Sequence, residues 1–154
     1  MEKERPSREY INSQIALLIS QRGTCSRLQV GAVATQNHRI VATGYNGPAK
    51  NEPHCTAEHC DIDLPCSRSI HAEDNLIRAA DAEGIDLRGA TLYCTHQPCM
   101  DCSTKILRAG IRVVFFMYPY RREEGLQNLL NNKVIVYQIN EQGIYTRRQQ
   151  VDLG

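Results

Sequence analysis

The chain has 154 residues, enough for one domain with a full core. A formal net charge of +1 gives none of the basic surplus that bulk nucleic-acid binding needs, and no apolar run is long enough to span a membrane. Seven cysteines is a high and odd count. The opening Met1-Glu2-Lys3-Glu4-Arg5-Pro6 lacks the apolar core of a secretory signal, so metal binding accounts for the thiols better than disulfides, and the expected compartment is the cytoplasm.

In chain order, residues 7–22 carry a helical pattern. Ser7 is the N-cap, Tyr10, Ile11, Ile15, Leu18 and Ile19 form the apolar stripe, and Gly23 ends it. Val30–Thr35 and Ile40–Tyr45 read as strands, joined through Asn37-His38-Arg39. Asn46-Gly47-Pro48 breaks the second strand, and residues 48–69 follow as a long polar loop with three cysteines. A helix over 71–83 puts Leu76, Ile77 and Ala80 on one face and stops at Gly84. Then come a strand over Ala90–Thr95, a helix over 99–109 stopped by Gly110, and an apolar strand over Arg112–Met117. A short helix over Glu123–Asn131 and a strand over Val134–Tyr137 complete the pattern. Residues 138–154 are polar and unpatterned, a loose end or a subunit contact. Strands alternating with helices from residue 70 onward argue for a helix-flanked sheet, made mixed by the opening hairpin; the strands number five in all.

Two segments carry the chemistry: His71-Ala72-Glu73 and Pro98-Cys99-Met100-Asp101-Cys102. His71, Cys99 and Cys102 are three soft donors, and a catalytic zinc site uses three protein ligands and an open fourth position. Cys99 and Cys102 stand at i and i+3, neighbours on a helix that Pro98 can start. Thiolates there gain from the positive end of the helix dipole. His71 and Glu73 stand at i and i+2, so both reach one centre only from a helix's first turn. Glu73 is then free to move protons as general acid and base. A CxxC alone would fit a structural zinc knot; HxE followed by PCxxC is the more specific signal and the signature of zinc nucleobase deaminases. Outside it, Cys25, Cys55, Cys60 and Cys66 are four thiols able to close a second, structural zinc site.

From about residue 7 to about residue 130 the chain resembles the deoxycytidylate (dCMP) deaminases of the cytidine-deaminase-like superfamily. The resemblance lies in Thr24-Cys25-Ser26-Arg27 with Val30-Gly31-Ala32, Thr43-Gly44-Tyr45-Asn46-Gly47, Ser69-Ile70-His71-Ala72-Glu73-Asp74-Asn75, Leu92-Tyr93-Cys94-Thr95 with the PCxxC segment, and Ala109-Gly110-Ile111. The GYNG run narrows it to this branch. Asp74, Leu76 and Cys94 depart from the family's usual residues; Cys94 reads as a small buried hydrophobe.

The resemblance implies a three-layer α/β/α fold in one zinc-dependent domain over residues 1–154, a homohexamer, and hydrolysis of dCMP to dUMP, the precursor of dTMP. It implies dCTP as activator and dTTP as inhibitor, with Mg2+, and places Gly44, Tyr45 and Gly47 near a regulatory nucleotide site. It also implies that the Ala72 amide holds the pyrimidine O2 and Asn46 the sugar, and it implies His54 and His59 as substitutes at the second zinc site. Tyr120 is a candidate pocket wall, and Arg27 a phosphate clamp, since a fork of donors suits a phosphate. His38 reads as a solvated turn residue; His96 is close in sequence to the zinc ligands. The alternatives are deamination of cytidine or of adenosine in tRNA, the latter disfavoured by the near-neutral charge, and a non-catalytic zinc protein in which Glu73 has no role.

Overall fold

The computed structural model describes residues 4–25, 28–48 and 69–150. Helix α1 (Arg8–Ser20) begins where Ser7 Oγ accepts the Tyr10 amide at 3.1 Å. Its buried face is Asn12, Ser13, Ala16 and Ser20, while Ile11 is 42% and Leu18 65% exposed. The expected Ile11–Leu18 stripe is therefore rotated outward. Small side chains at 13, 16 and 20 let the helix backbone sit close to the sheet, and the longer Ile15 and Ile19 flank that contact.

Strands β1 (Gly31–Gln36) and β2 (Arg39–Tyr45) form an antiparallel hairpin. Its turn is Asn37-His38, both with positive φ (51° and 66°), the backbone that suits a two-residue hairpin. Two-residue strands β3 (Gly47–Pro48) and β4 (Ser69–Ile70) pair with each other, so the ends of the cysteine-bearing segment meet. Helix α2 (Ala72–Ala82), β5 (Thr91–His96), α3 (Met100–Ala109), β6 (Val113–Tyr118), α4 (Glu124–Asn131), β7 (Ile135–Ile139) and β8 (Tyr145–Arg147) follow. The main sheet has the order β2-β1-β5-β6-β7-β8, parallel at β5/β6 and β6/β7 and antiparallel elsewhere.

The sheet has six strands, one more than the alternation in the sequence suggests. The extra strand, β8, lies in the stretch that reads as unpatterned. It is a three-residue edge strand, exposed along its length, so it carries no buried alternation to betray it. Asn140 makes the turn into it, its Oδ1 accepting the amides of Gln142 and Ile144 at 2.9 and 3.0 Å.

Alternation along the central strands divides the core. Ala32, Ala34, Leu92, Cys94, Val114 and Phe116 face α2, α3 and α4 and meet Leu76, Ala80, Ile106, Leu126 and Leu129. Val33, Tyr93, Phe115 and Met117 face α1 and meet Ala16. These are the three layers. Full burial of a side chain such as Leu76 or Ile106 contributes about 1.5–3 kcal/mol, which is why α2 and α3 are anchored from behind.

Candidate active site

One end of the sheet gathers the chemistry. β1 starts there, β2 and β5 finish there, and the pairings Gly31↔Tyr45 and His96↔Tyr118 mark that end. α2 and α3 both begin beside it. His71 is the N-cap of α2 in extended backbone, and Glu73 is the helix's second residue. Cys99 is the N-cap of α3, its Sγ accepting the Cys102 amide at 3.5 Å. Both short spacings thus work as the sequence requires, each folded into a helix's first turn.

His71 Nδ1 lies 3.3 Å from Cys102 Sγ and 3.5 Å from Cys99 Sγ, and one donor atom from each residue lies within 4.8 Å of the others. Cys102 is buried, Cys99 half-buried and His71 exposed, so the cluster opens to one side. The hydrogen bond with Cys99 pushes His71 up to about 9. Cys99 is drawn down to about 4 by its hydrogen bond with Cys102, against the opposing effect of burial and with the help of His71. Cys102 moves the other way, raised by the bond to Cys99 and by burial. Glu73 is 4% exposed. Burial raises its pKa, partly opposed by a hydrogen bond with Cys102 and the charge of His71. A buried carboxyl that holds a proton more readily than usual, beside three convergent soft donors, can exchange protons with a molecule held there.

The other expected residues fall into place unevenly. Ala72 is fully buried in the first turn of α2, where amides have no intrahelical carbonyl to serve. Asn46 is buried at the same sheet end, but its side chain is already engaged: Oδ1 accepts the Val30 amide and Nδ2 donates to Leu28 O, both at 2.7 Å. One N–H of that amide group stays free of these two bonds. Tyr120 is 39% exposed, and its amide donates to Gln97 Oε1 at 3.3 Å. Gly44 faces α2: a Cβ there would lie 2.4 Å from Ala72 O and 2.7 Å from Leu76 N. Tyr45 is partly exposed, with the Arg22 guanidinium 5.9 Å from its ring centroid. Gly47 abuts the Thr24 hydroxyl. Cys25 is half-buried and free. Arg27, Cys55, Cys60, Cys66, His54 and His59 lie outside the described residues. Cys94 sits in the core, as its sequence context suggests. His38 is exposed in the hairpin turn. His96 Nδ1 is 2.8 Å from Thr95 Oγ1 and its ring leans on Tyr118.

Three contributors carry no motif of their own. Gln97 is 4% exposed and braces the chain after β6, bonding Tyr118 O, the Tyr120 amide and Arg122 O. Gly125 lets α4 press on the Pro98–Cys99 entry to α3, since a Cβ there would lie 2.5 Å from Cys99 C and Pro98 O. Asp74 and Lys105 join α2 to α3. The departure at Asp74 is the one sequence signal among the three.

The donor set of one imidazole and two thiols suits zinc, which takes nitrogen and sulfur ligands in tetrahedral sites. Residues 7–118 match the model of a family described as the cytidine and deoxycytidylate deaminase zinc-binding region. Over 122 residues the chain is 41% identical to ComE operon protein 2 of Bacillus subtilis, covering 79% of this chain and 64% of that protein. It is 32% identical over 135 residues to the deoxycytidylate deaminase of Schizosaccharomyces pombe, covering 82% of this chain and 42% of that protein. The chain therefore spans less than two thirds of the length of these two relatives. The fold matches the crystal structure of dCMP deaminase from cyanophage S-TIM5 in complex with dCMP and dUMP, with a TM-score of 0.79 and 31% identity over 89% of this chain and 100% of that one. With the family's zinc-binding region covering most of its length, and donors converging where that region lies, this chain belongs to the cytidine and deoxycytidylate deaminase family.

Proposed function

We propose that the chain hydrolyses dCMP to dUMP and ammonia. The observation that carries this reading is the convergence of His71, Cys99 and Cys102 within 4.8 Å beside the buried carboxyl of Glu73, in a fold that matches a dCMP deaminase. His71, Cys99 and Cys102 would hold a zinc ion, which supplies a Lewis acid able to bring the pKa of water to about 7. Glu73 accepts the proton of the attacking water, delivers it to N3 of the cytosine ring, and assists departure of ammonia from C4. The Ala72 amide holds the pyrimidine O2, the second N–H of Asn46 reaches the sugar, and Tyr120 walls the nucleotide. A closed structural zinc site would need a fourth protein donor; among the described residues the cluster has three.

The chemistry at the ring needs only cytosine, so the choice of nucleotide over nucleoside has to come from a group that reaches the phosphate. Arg27 is that group in this reading. A forked, charge-assisted contact contributes about 1.5–3 kcal/mol, roughly 10- to 150-fold in kcat/KM. The test measures dCMP and deoxycytidine on the parent and on Arg27→Ala. The expected result is a strong parental preference for dCMP that shrinks in the variant mainly through loss on dCMP. Equal slowing of both substrates would make Arg27 structural, and a parent preferring deoxycytidine would overturn the substrate itself.

The same reading takes residues 1–154 as one domain acting in the cytoplasm, and assigns Cys25, Cys55, Cys60 and Cys66 to a second zinc. No helix among the described residues is long and apolar enough to cross a membrane. It extends to a homohexamer activated by dCTP and inhibited by dTTP with Mg2+, involving Gly44, Tyr45 and Gly47. Gly44 acts there only through α2, which covers it. Support for this regulation is the sequence resemblance, and rates measured with each triphosphate decide it.

A further inference from the structure

The donor cluster is split between two helices. His71 and Glu73 belong to the start of α2, Cys99 and Cys102 to the start of α3. Two helix N-termini converge there, each with the positive end of its dipole, so their meeting is not favourable in itself. The reach of His71 to both sulfurs depends on how one helix is set against the other.

Outside the donor cluster, one polar link joins these helices among the described residues: Lys105 Nζ donates to Asp74 Oδ2 at 2.7 Å. Asp74 follows Glu73 directly, and Lys105 stands about one turn beyond Cys102. Asp74 Oδ1 takes Arg78 Nε at 3.0 Å, and Lys105 Nζ also lies 3.1 Å from Asp101 Oδ2. The Asp74 side chain is 12% exposed and that of Lys105 32%, so the pair is sheltered, unlike the solvated pairs that contribute little. Each carboxylate oxygen thus accepts a bond from a separate donor. Burial pushes the Asp74 carboxyl up, but the bonds from Lys105 and Arg78 outweigh it and hold it below the ordinary range.

We propose that Asp74 and Lys105 are positioning residues: their ion pair clamps α2 to α3 and so keeps His71 within reach of Cys99 and Cys102. The inference rests on reading those three residues as zinc ligands. Neither member of the pair touches the donors in the contacts described, so the clamp acts through the helices. Arg78 supplies an internal control. It bonds the same carboxylate but from within α2, so losing it removes a bond to Asp74 without uncoupling the helices.

The test uses zinc-loaded parent, Asp74→Asn, Lys105→Gln, the double variant, Lys105→Arg and Arg78→Gln. Each is challenged with excess chelator, zinc release is followed in time, and the phase lost in Cys99→Ser is assigned to this site. Asp74→Asn and Lys105→Gln should release that zinc about 10-fold faster than the parent, the double variant no faster than the faster single, and Arg78→Gln at the parental rate. Lys105→Arg, which keeps the charge, should restore slow release. In cobalt(II)-substituted protein the visible spectrum should shift in Asp74→Asn and Lys105→Gln but not in Arg78→Gln. Parental release from Asp74→Asn and Lys105→Gln, whatever their melting temperatures, overturns the clamp, as does a double variant whose effects multiply. A parent with no zinc in this phase overturns the ligand reading instead.

Discussion

Glu73 combines a carboxyl almost wholly out of water with a place in the first turn of a helix, beside the cluster of His71, Cys99 and Cys102. In the proposed reaction it carries each proton, so its loss removes one whole contribution to the barrier. Glu73→Gln keeps the shape and a hydrogen-bonding head but cannot accept the proton. Turnover of dCMP should fall at least ~10²-fold while folding and zinc content hold. Near-parental turnover in that variant would sink the mechanism. At this scale the convergence of His71, Cys99 and Cys102 was legible, because zinc binding needs specific donor types at short spacings. His71 and Glu73 two apart, and Cys99 and Cys102 three apart, admit few geometries. Gln97 and Gly125 were invisible for the opposite reason: one braces and the other yields space, and many residue types in many positions do either.

Gly44 shows how an element can position the group proposed as the proton carrier without touching it. The end of β2 and the first turn of α2 approach so closely that a methyl group at residue 44 would lie 2.4 Å from Ala72 O. Gly44→Ala must push back the turn that carries Glu73. Overpacking against backbone costs about 1–3 kcal/mol, and denaturant unfolding should show a loss of that size. A change below about 0.5 kcal/mol would mean that α2 shifts freely and that the approach carries no weight. The types and order of the longer elements could be read from the sequence, since the central strands are short apolar runs buried on both faces and α2, α3 and α4 each bury one face. Three features could not. The pair β3 and β4 lies where the sequence reads as a strand break and a loop, and two residues are too few to carry a period. The true inner face of α1 is made of Asn12, Ser13, Ala16 and Ser20, small side chains that a search for an apolar stripe passes over. β8 has one apolar anchor, Tyr145, whose ring packs edge-on against Phe115 and Tyr137, so hydrophobic periodicity is silent about it, and pairing to β7 decides its conformation.

On the scale of the molecule, the chain around Cys25 and the ends of the cysteine-bearing segment are tied together. The Thr24 amide donates to Asn46 O at 3.1 Å, Asn46 leads into β3, and β3 pairs with β4 immediately before His71. Cys25 is thus joined through two backbone contacts to both ends of the stretch that contains Cys55, Cys60 and Cys66. A second zinc on those four thiols would tie that stretch to Cys25, two residues before Arg27, in keeping with the phosphate role proposed for Arg27. Native mass spectrometry of carefully purified protein reads metal and assembly together. The expected mass is that of a homohexamer with about two zinc ions per chain, one held by His71, Cys99 and Cys102. Replacing Cys60 by serine should remove one zinc per chain and leave the other, and dCMP turnover should fall through KM more than through kcat, because the phosphate contact loosens while Glu73 keeps its place. One zinc per chain in the parent would eliminate the loop site, and a stable monomer would eliminate the hexamer. A fall confined to kcat would show that the loop serves the reacting ring and not the phosphate.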